Sequence, residues 1–183
     1  ELGLAKLNDG ILELDDSIGK LILGKELKEY LKLNDDVIEI GLTANRGDCL
    51  SIYGIARELS AYYNIPLIEC EKQLKYNDFG IGQVLEIECD SSTDSALLFK
   101  AVDFTNFKFS VLHKLRTSII GKYQENNDIK NVLTYATHSI GVILNAYSKE
   151  KTIQSNNLSI LKIKKDEQGF DNVYGIEQLS KIC

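Results

Sequence analysis

Residues 42–61 have the sequence LTANRGDCLSIYGIARELSA, and this stretch decides more about the fold than any other part of the chain. Apolar alternation over residues 37–43 predicts a β-strand leading into it, and the polar residues 44–48 predict a turn. Apolar side chains then recur at helical spacing, which predicts an amphipathic helix after Asp48. We expect the Asp48 carboxylate to cap the free amides of that helix and Gly47 to permit the tight turn. The predicted buried face consists of Leu50, Tyr53, Ile55, Ala56 and Leu59.

The polar residues of this stretch, Asn45, Arg46, Asp48 and Arg57, allow two interpretations. In the first, they form a capped helix with local ion pairs that hold the corner between strand and helix. In the second, they contact a substrate directly. Spacing alone leaves both interpretations open.

The composition is that of an ordinary soluble domain, with 183 residues, 44% hydrophobic and 26% charged. A net charge of −6 argues against a protein that coats DNA or RNA generally, but it is compatible with a local RNA contact. Neither a membrane-spanning run nor a signal peptide is recognisable, which predicts a cytoplasmic protein without a membrane partner. The four cysteines are scattered, which predicts reduced thiols and no metal site. No phosphate-binding loop or dinucleotide motif occurs, so we expect no ATP site in this chain.

The break at residues 34–36 predicts a boundary between a lead-in segment, 1–34, and a domain, 35–183. The chain begins at Glu1, contains no methionine and stops at Cys183, so we expect it to be a piece of a longer protein. Within the lead-in segment, residues 10–14 predict a strand and residues 25–31 a short helix.

The remaining sequence predicts an α+β fold with a mixed or antiparallel sheet packed with helices. Strands are predicted at 84–89 and 97–104, antiparallel to each other, and at the closing residues near 160–163 and 173–174. Helices are predicted from an N-cap at Ser110 to about residue 124, and from 129 to about 144 with Gly141 inside; Asn145, Ala146 and Tyr147 close the second. Pro66 stops the helix that follows Asp48.

Two polar groups of residues are candidate binding sites. Lys108, His113, Lys114 and Arg116 indicate either a solvated helix face, with His113 exposed, or a contact with RNA phosphates. Thr137 and His138 belong to a polar stretch from Thr134 to Ser139, which indicates either a half-exposed helix or the wall of a pocket. Neighbours one residue apart do not face each other on a helix, so this stretch does not predict a catalytic nucleophile.

Residues 42–58 closely resemble the T-P-N-R-x-D-C-L-S-x-x-G-x-A-R-E motif of bacterial phenylalanyl-tRNA synthetase beta chains, with Ala44 in place of the proline. Weaker similarities to that family follow in the right order along nearly the whole chain. They are the ELGL of residues 1–4, the NDGI of residues 8–11, the KLR of residues 114–116, and residues 145–147, which resemble an H-A-F segment.

This resemblance implies a part of a cytoplasmic α2β2 ligase that joins phenylalanine to tRNA(Phe) with ATP and Mg²⁺. The alpha subunit would be the protein partner, and the resemblance implies neither a cofactor in this part nor DNA as a partner. Residues 1–34 would end a B1-like domain. Residues 35–183 would be a B3/B4-like domain, incomplete at its C-terminus, of the kind that hydrolyses mischarged tyrosyl-tRNA.

Given this resemblance, Lys108, Lys114 and Arg116 of the basic cluster become candidates for binding tRNA, and Thr137 and His138 of the polar stretch become candidates for an editing pocket. The similarity of residues 145–147 to the H-A-F segment adds Asn145 to that pocket. Asn145 stands where the family motif has histidine, and an asparagine cannot carry a proton near neutral pH. The alternative is a module for tRNA docking and subunit packing that has lost hydrolysis.

Overall fold

The computed structural model describes residues 12–34, 36–68, 80–102, 108–125, 127–155, 158–174 and 176–178. The chain forms two compact units, and each is built from two stretches of sequence. The first unit consists of Glu1–Ile68 and Phe107–Leu144, and the second consists of Glu69–Asn106 and Asn145–Cys183. The boundary predicted between residues 34 and 35 falls inside the first unit, and it stays a prediction.

The α-helices of the described residues belong to the first unit. Helix α1 spans Ile52–Tyr63, helix α2 spans Val111–Ile119 and helix α3 spans Asp128–Ile140. Each helix begins after a residue whose side chain accepts a hydrogen bond from an amide of the first turn, and these N-caps are Ser51, Ser110 and Asn127. Because first-turn amides lack partners within the helix, such caps fix where each helix starts. The cap predicted at Ser110 is confirmed.

Two helices end earlier than the sequence pattern predicts. Gly141 adopts the left-handed conformation, with φ of 81°, and ends α3 instead of lying inside it. Helix α2 stops at Ile119, and Gly121 follows with φ of 71°. Helix α1 ends at a left-handed Asn64, and Pro66 lies two residues beyond, which agrees with the predicted stop.

The described part of the lead-in segment, residues 12–34, has little regular structure. It contains two single-turn 3₁₀ helices, Asp16–Ile18 and Leu27–Glu29. The short helix predicted at 25–31 is therefore reduced to one turn. The strand predicted at 10–14 is wrong for residues 12–14, and its first two residues lie outside the described part.

The lead-in segment supplies hydrogen-bond acceptors to the start of α2. The amide of Val111 donates to Asp15 Oδ2 at 3.0 Å, and the amide of Leu112 donates to Ser17 Oγ at 3.0 Å. A hydrogen bond from the Ser17 hydroxyl, followed by backbone donors, lowers the pKa of Asp15. The first turn of α2 is thus capped partly by residues almost a hundred positions earlier in the chain.

The main apolar core of the first unit joins the same two segments. Ile18 and Tyr30 of the lead-in segment pack with Val111, Leu112 and Leu115 of α2. Ile18 is the most deeply buried of these side chains, with 2% exposed. Residues 12–34 therefore share a hydrophobic core with α2.

The second unit contains a mixed sheet. Its strands are β1, Leu85–Cys89; β2, Tyr147–Ser155; β3, Leu158–Lys165; β4, Asp171–Tyr174; and β5, Ile176–Gln178. Strand β3 is central, because it pairs in parallel with β1 and antiparallel with both β2 and β4. Strand β2 also pairs antiparallel with β5. The α+β prediction with a mixed sheet is confirmed.

The predicted strands have mixed outcomes. Those at 84–89, 160–163 and 173–174 are confirmed as β1, β3 and β4. The strand predicted at 97–104 is wrong for residues 97–102, because these form no ladder, and its last two residues lie outside the described part. Residues 145–147 do not close α3, since Tyr147 begins β2, a strand that the sequence pattern did not reveal.

The segment before α1 and the predicted buried face of α1 also differ from expectation. Residues 36–43 run without a bend or turn but form no strand ladder. The side chains of Leu50, Tyr53 and Leu59 are 69%, 40% and 51% exposed, so the predicted stripe does not face a core of the described residues. No helix among the described residues has the length and apolar character needed to cross a membrane.

Candidate functional site

The motif at residues 42–58 folds into a corner before α1. A single 3₁₀ turn, Gly47–Cys49, lies between the preceding segment and the helix. Because this turn intervenes, Asp48 is not the N-cap that the sequence predicted. Ser51 takes that role, and its hydroxyl accepts the amide of Gly54 at 3.0 Å.

Gly54 is the tightest contact of the corner. A Cβ atom at this position would lie 2.0 Å from the carbonyl oxygen of Asp48 and 3.0 Å from Cα of Cys49. Both neighbours are backbone atoms, so neither can rotate away. Gly47, by contrast, has no positive φ, and a Cβ added there would meet nothing within 4 Å. The glycine that the fold requires is therefore Gly54, and the expectation for Gly47 was wrong.

Four charged side chains of the corner pair with one another. Arg46 Nε donates to Asp48 Oδ1 at 3.0 Å, and its Nη2 donates to Oδ2 at 3.1 Å. The same Nη2 lies 2.8 Å from Glu58 Oε1, and Arg57 Nη2 lies 3.0 Å from Asp48 Oδ2. Asn45 accepts the hydroxyl of Thr43 at 2.7 Å within the preceding turn. These contacts are the local ion pairs of the first interpretation.

The ion pairs fix the protonation states of the corner. Hydrogen bonds from Arg46 lower the pKa of Asp48 to about 2, and hydrogen bonds to Asp48 and Glu58 raise the pKa of Arg46. Burial raises the pKa of the Cys49 thiol, although Arg46 partly opposes the shift. Cys49 is 4% exposed, so a protonated, buried thiol is a poor nucleophile here.

Oxygen and sulfur ligands do converge at this corner. Asp48, Cys49 and Glu58 place one ligand atom each within 4.8 Å of one another. The Arg46 guanidinium already bonds to all three, with its Nη2 also 2.9 Å from Cys49 Sγ. The positive charge at this position is therefore the arginine side chain, and a metal ion would have to displace it.

An open cleft of about 500 Å³ lies beside the corner in the first unit. One wall is formed by residues 47–57 and includes Asp48, Ser51 and Arg57. The other is formed by the end of α3 and the following residues, and it consists of Thr137, Ile140, Gly141 and Ile143. The walls come close together at Gly141, where a Cβ atom would lie 2.9 Å from Ser51 Oγ.

The structure brings only one of the predicted editing residues to this cleft. Thr137 lines it, whereas His138 is exposed and is absent from the described lining. Asn145 is exposed and belongs to the second unit. Ser139, the neighbour of His138, donates its hydroxyl to the carbonyl of Tyr135 at 2.8 Å, so it is engaged within α3.

The predicted tRNA-binding residues differ in their surroundings. Lys108 is exposed, while Lys114 and Arg116 on α2 are partly buried. Arg116 Nη1 donates to the hydroxyl of Tyr135 on α3 at 3.3 Å. Arg116 therefore helps to hold α2 against α3, and of the three only Lys108 is classed as exposed.

His113 is partly buried, so the expectation that it is exposed was wrong. Its ring packs edge-on against Tyr135, with the ring centroids 4.6 Å apart, and its Nδ1 lies 2.6 Å from Ser110 Oγ. Burial and, secondarily, the nearby Arg116 lower its pKa, while Asp15 acts in the opposite direction. His113 thus belongs to the α2–α3 packing.

Sequence reasoning missed the roles of Ser51, Gly54 and Glu58. Ser51 and Glu58 had local signals, because serine is a preferred N-cap residue and Glu58 directly follows Arg57. The close approach at Gly54, however, depends on the 3₁₀ turn, which the sequence pattern did not predict.

Comparison with known proteins shows which proteins the chain is similar to. The phenylalanine–tRNA ligase beta subunit of Helicobacter pylori (strain J99) is 43% identical over 175 residues, which cover 95% of this chain and 22% of that protein. The beta subunit of Wolinella succinogenes is 41% identical over an alignment of 194 positions, covering 100% of this chain and 24% of that protein. That of Campylobacter jejuni (strain RM1221) is 41% identical and covers 92% of this chain.

No family model and no solved structure matches the chain. The chain spans less than a quarter of the length of the curated relatives it matches. Identity at this level nevertheless extends over nearly all of its residues. The chain therefore belongs to the family of phenylalanine–tRNA ligase beta subunits.

Proposed function

We propose that this chain is part of a phenylalanine–tRNA ligase beta subunit and contributes to the charging of tRNA(Phe) with phenylalanine. The observation that carries the proposal is the identity of about 40% over nearly the whole chain to beta subunits. The complete enzyme would be a cytoplasmic α2β2 assembly with the alpha subunit and would use ATP and Mg²⁺. The family resemblance implies that ATP would bind at a synthetic site on the alpha subunit.

Within that subunit, we assign the region a role in proofreading tyrosyl-tRNA. A binding pocket alone discriminates poorly between substrates that differ by one small group, which is why some ligases hydrolyse wrong products at a second site. The cleft of about 500 Å³ supports this role, because it is open to solvent and Thr137 is among the residues that line it. Volumes of this size are typical of small-molecule sites.

Position 145, which stands where the family motif has histidine but lies outside the described lining of the cleft, gives a separate test of proofreading. We expect the assembled enzyme to hydrolyse tyrosyl-tRNA(Phe) slowly, and an Asn145→His variant to do so at least about tenfold faster, because histidine can transfer a proton and asparagine cannot. Deacylation of purified tyrosyl-tRNA(Phe) measures both rates. Asn145→Gln is the matched control, since it keeps an amide and should leave the rate unchanged. If the unmodified enzyme hydrolysed tyrosyl-tRNA(Phe) as fast as the histidine variant, the expectation that Asn145 limits hydrolysis would be contradicted.

A second candidate function is a module for tRNA docking and subunit packing without hydrolysis. The ion pairs among Arg46, Asp48, Arg57 and Glu58 favour it, because these charges are satisfied by one another. The exposed position of His138, outside the described lining of the cleft, favours it too. This function would be supported if both the unmodified enzyme and the Asn145→His variant hydrolysed tyrosyl-tRNA(Phe) only at the uncatalysed background rate.

A further inference from the structure

The cleft beside the corner, which lies within the first unit, combines a pair of opposite charges with apolar side chains. Asp48 and Arg57 both belong to its lining, and Arg57 Nη2 lies 3.0 Å from Asp48 Oδ2. The large apolar side chains that line it are Leu50, Tyr53, Ile140 and Ile143. A ligand that fits the cleft therefore meets a carboxylate, a guanidinium and an apolar surface.

The charged pair keeps hydrogen-bonding capacity although its charges balance. A guanidinium has five N–H donors, and among the described residues Arg57 uses only its Nη2, toward Asp48. Asp48 Oδ1 accepts only from Arg46 Nε in the same part of the chain, and a carboxylate oxygen can accept two hydrogen bonds. The side chains of Arg57 and Asp48 are 51% and 42% exposed, so a small molecule can reach both.

The apolar side chains of the cleft are uncovered on both walls. Leu50, on the wall of the corner, is 69% exposed, while Ile140 and Ile143, at the end of α3 and just beyond it, are 48% and 80% exposed. Apolar surface gains free energy when it is removed from water, roughly in proportion to the area covered. An apolar group held between the walls would gain that free energy.

The charges and the apolar walls together indicate one class of ligand. A free α-amino acid carries an ammonium, a carboxylate and a side chain on a single carbon atom. Its ammonium can donate to a carboxylate and its carboxylate can accept from a guanidinium, and both are charge-assisted hydrogen bonds. A ligand with one charge would meet one member of the pair and be repelled by the other, and an uncharged apolar ligand would pair with neither.

We propose that this cleft binds a free α-amino acid with an apolar side chain. The ammonium would donate to Asp48 Oδ1, the carboxylate would accept from Arg57, and the side chain would lie between the walls near Leu50 and Ile143. The inference rests on the proposed function in one respect, because hydrolysis of an aminoacyl ester would release such a ligand here. The ester itself has no free carboxylate to offer Arg57, so the site favours the free amino acid.

A photoreactive leucine that carries a diazirine tests the proposal in the full-length subunit assembled with its alpha partner. We expect it to label peptides that contain residues 50–57 or 140–143, and an excess of L-leucine to abolish this labelling. The position of the label separates this cleft from any amino-acid site on the alpha subunit. Labelling confined to other parts of the enzyme, or labelling that L-leucine does not reduce, overturns the proposal.

Analogues of leucine that lack one charge test the role of the charged pair. Isocaproate lacks the ammonium of leucine, and isopentylamine lacks its carboxylate. We expect each analogue to need a concentration at least about tenfold higher than L-leucine to halve the labelling, because each loses hydrogen bonds between charged groups. Competition by either analogue that equals competition by L-leucine overturns the proposal.

Two matched variants test Arg57 directly. Arg57→Gln removes a positive charge from the cleft, whereas Lys122→Gln removes one from an exposed position of the same unit outside the described lining. We expect labelling to fall at least about tenfold in the first variant and to stay unchanged in the second. Equal labelling of the two variants overturns the proposal, and the analogues decide the matter if Arg57→Gln does not fold.

The labelling can be separated from the proposed function, because it requires neither charging nor hydrolysis of tRNA. An enzyme that is labelled as expected but neither charges tRNA(Phe) nor deacylates tyrosyl-tRNA(Phe) would refute the proposed function alone. An enzyme that performs both reactions without specific labelling of the cleft would refute this inference alone.

Discussion

Replacing Gly54 with alanine will destabilise the first unit by about 3 kcal/mol, because overpacking against atoms that cannot move is among the most costly substitutions. The new Cβ would lie 2.0 Å from the Asp48 carbonyl oxygen, so the first turn of α1 would have to separate from the 3₁₀ turn. That separation would also pull Asp48 away from Arg57 on the helix. Urea unfolding followed by far-UV circular dichroism measures the loss.

Gly47→Ala is the matched control for this prediction. It makes the same chemical change in the same corner, at a position with open space and no positive φ. We expect the free energy of unfolding to change by less than about 0.5 kcal/mol. A small increase agrees with this expectation, because alanine restricts the unfolded chain more than glycine does. Equal losses for the two variants would show that the corner does not pack as described.

Replacing Ile18 with alanine will lower the free energy of unfolding by about 3 kcal/mol. This value lies within the usual range for removing a large aliphatic side chain from a core. Ile18 is 2% exposed and belongs to the cluster that joins the lead-in segment to α2. Because Asp15 and Ser17 also bond the first amides of α2, we expect the segment and the helix to unfold together. Chemical denaturation, with hydrogen exchange of the α2 amides as a second observable, measures both effects.

Ile22→Ala is the control for this second substitution. It removes the same atoms from the same segment, but Ile22 is 55% exposed and its backbone bond to the Tyr30 hydroxyl does not depend on the side chain. We expect this control substitution to lower the free energy of unfolding by less than about 1 kcal/mol. If Ile18→Ala were equally mild, or left the exchange of α2 unchanged, residues 12–34 would not share a core with this helix.

Helices were predicted better than strands because their signals are local. Ser110 and the apolar spacing after it were enough to place the start of α2, since a cap and its amides lie within one turn. The end of α3 was missed because Gly141 was interpreted as a tolerated interior glycine. Its positive φ in the structure shows that it terminates the helix.

Strands were harder to predict, because each strand depends on a neighbouring strand that its own sequence pattern does not identify. Strand β2, with the polar sequence YSKEKTIQS, has no apolar alternation to reveal it, and it forms because β3 and β5 pair with it. Residues 97–102 and 37–42 have apolar residues typical of strands, yet they form no ladder among the described residues. β-propensity reports how well a side chain fits a pleated surface, and it cannot supply the neighbouring strand.

The candidate site was predicted in part. The ion pairs of Arg46, Asp48 and Arg57 were one of two interpretations of the motif, and the structure contains them. The buried position of His113 and the engagement of Arg116 by Tyr135 depend on how α2 meets α3, which no local pattern encodes. The roles of Asn145, Thr137 and His138 in editing stay predictions. The tRNA contacts of Lys108, Lys114 and Arg116 stay predictions as well.

The most direct test of the proposed function is charging of tRNA(Phe) by the full-length subunit assembled with its alpha partner. With ATP, Mg²⁺ and phenylalanine present, we expect formation of phenylalanyl-tRNA(Phe). The product is measured as acid-precipitable phenylalanine, with a tRNA for another amino acid as the control. An assembled enzyme that binds tRNA(Phe) but forms no phenylalanyl ester would contradict the proposed function.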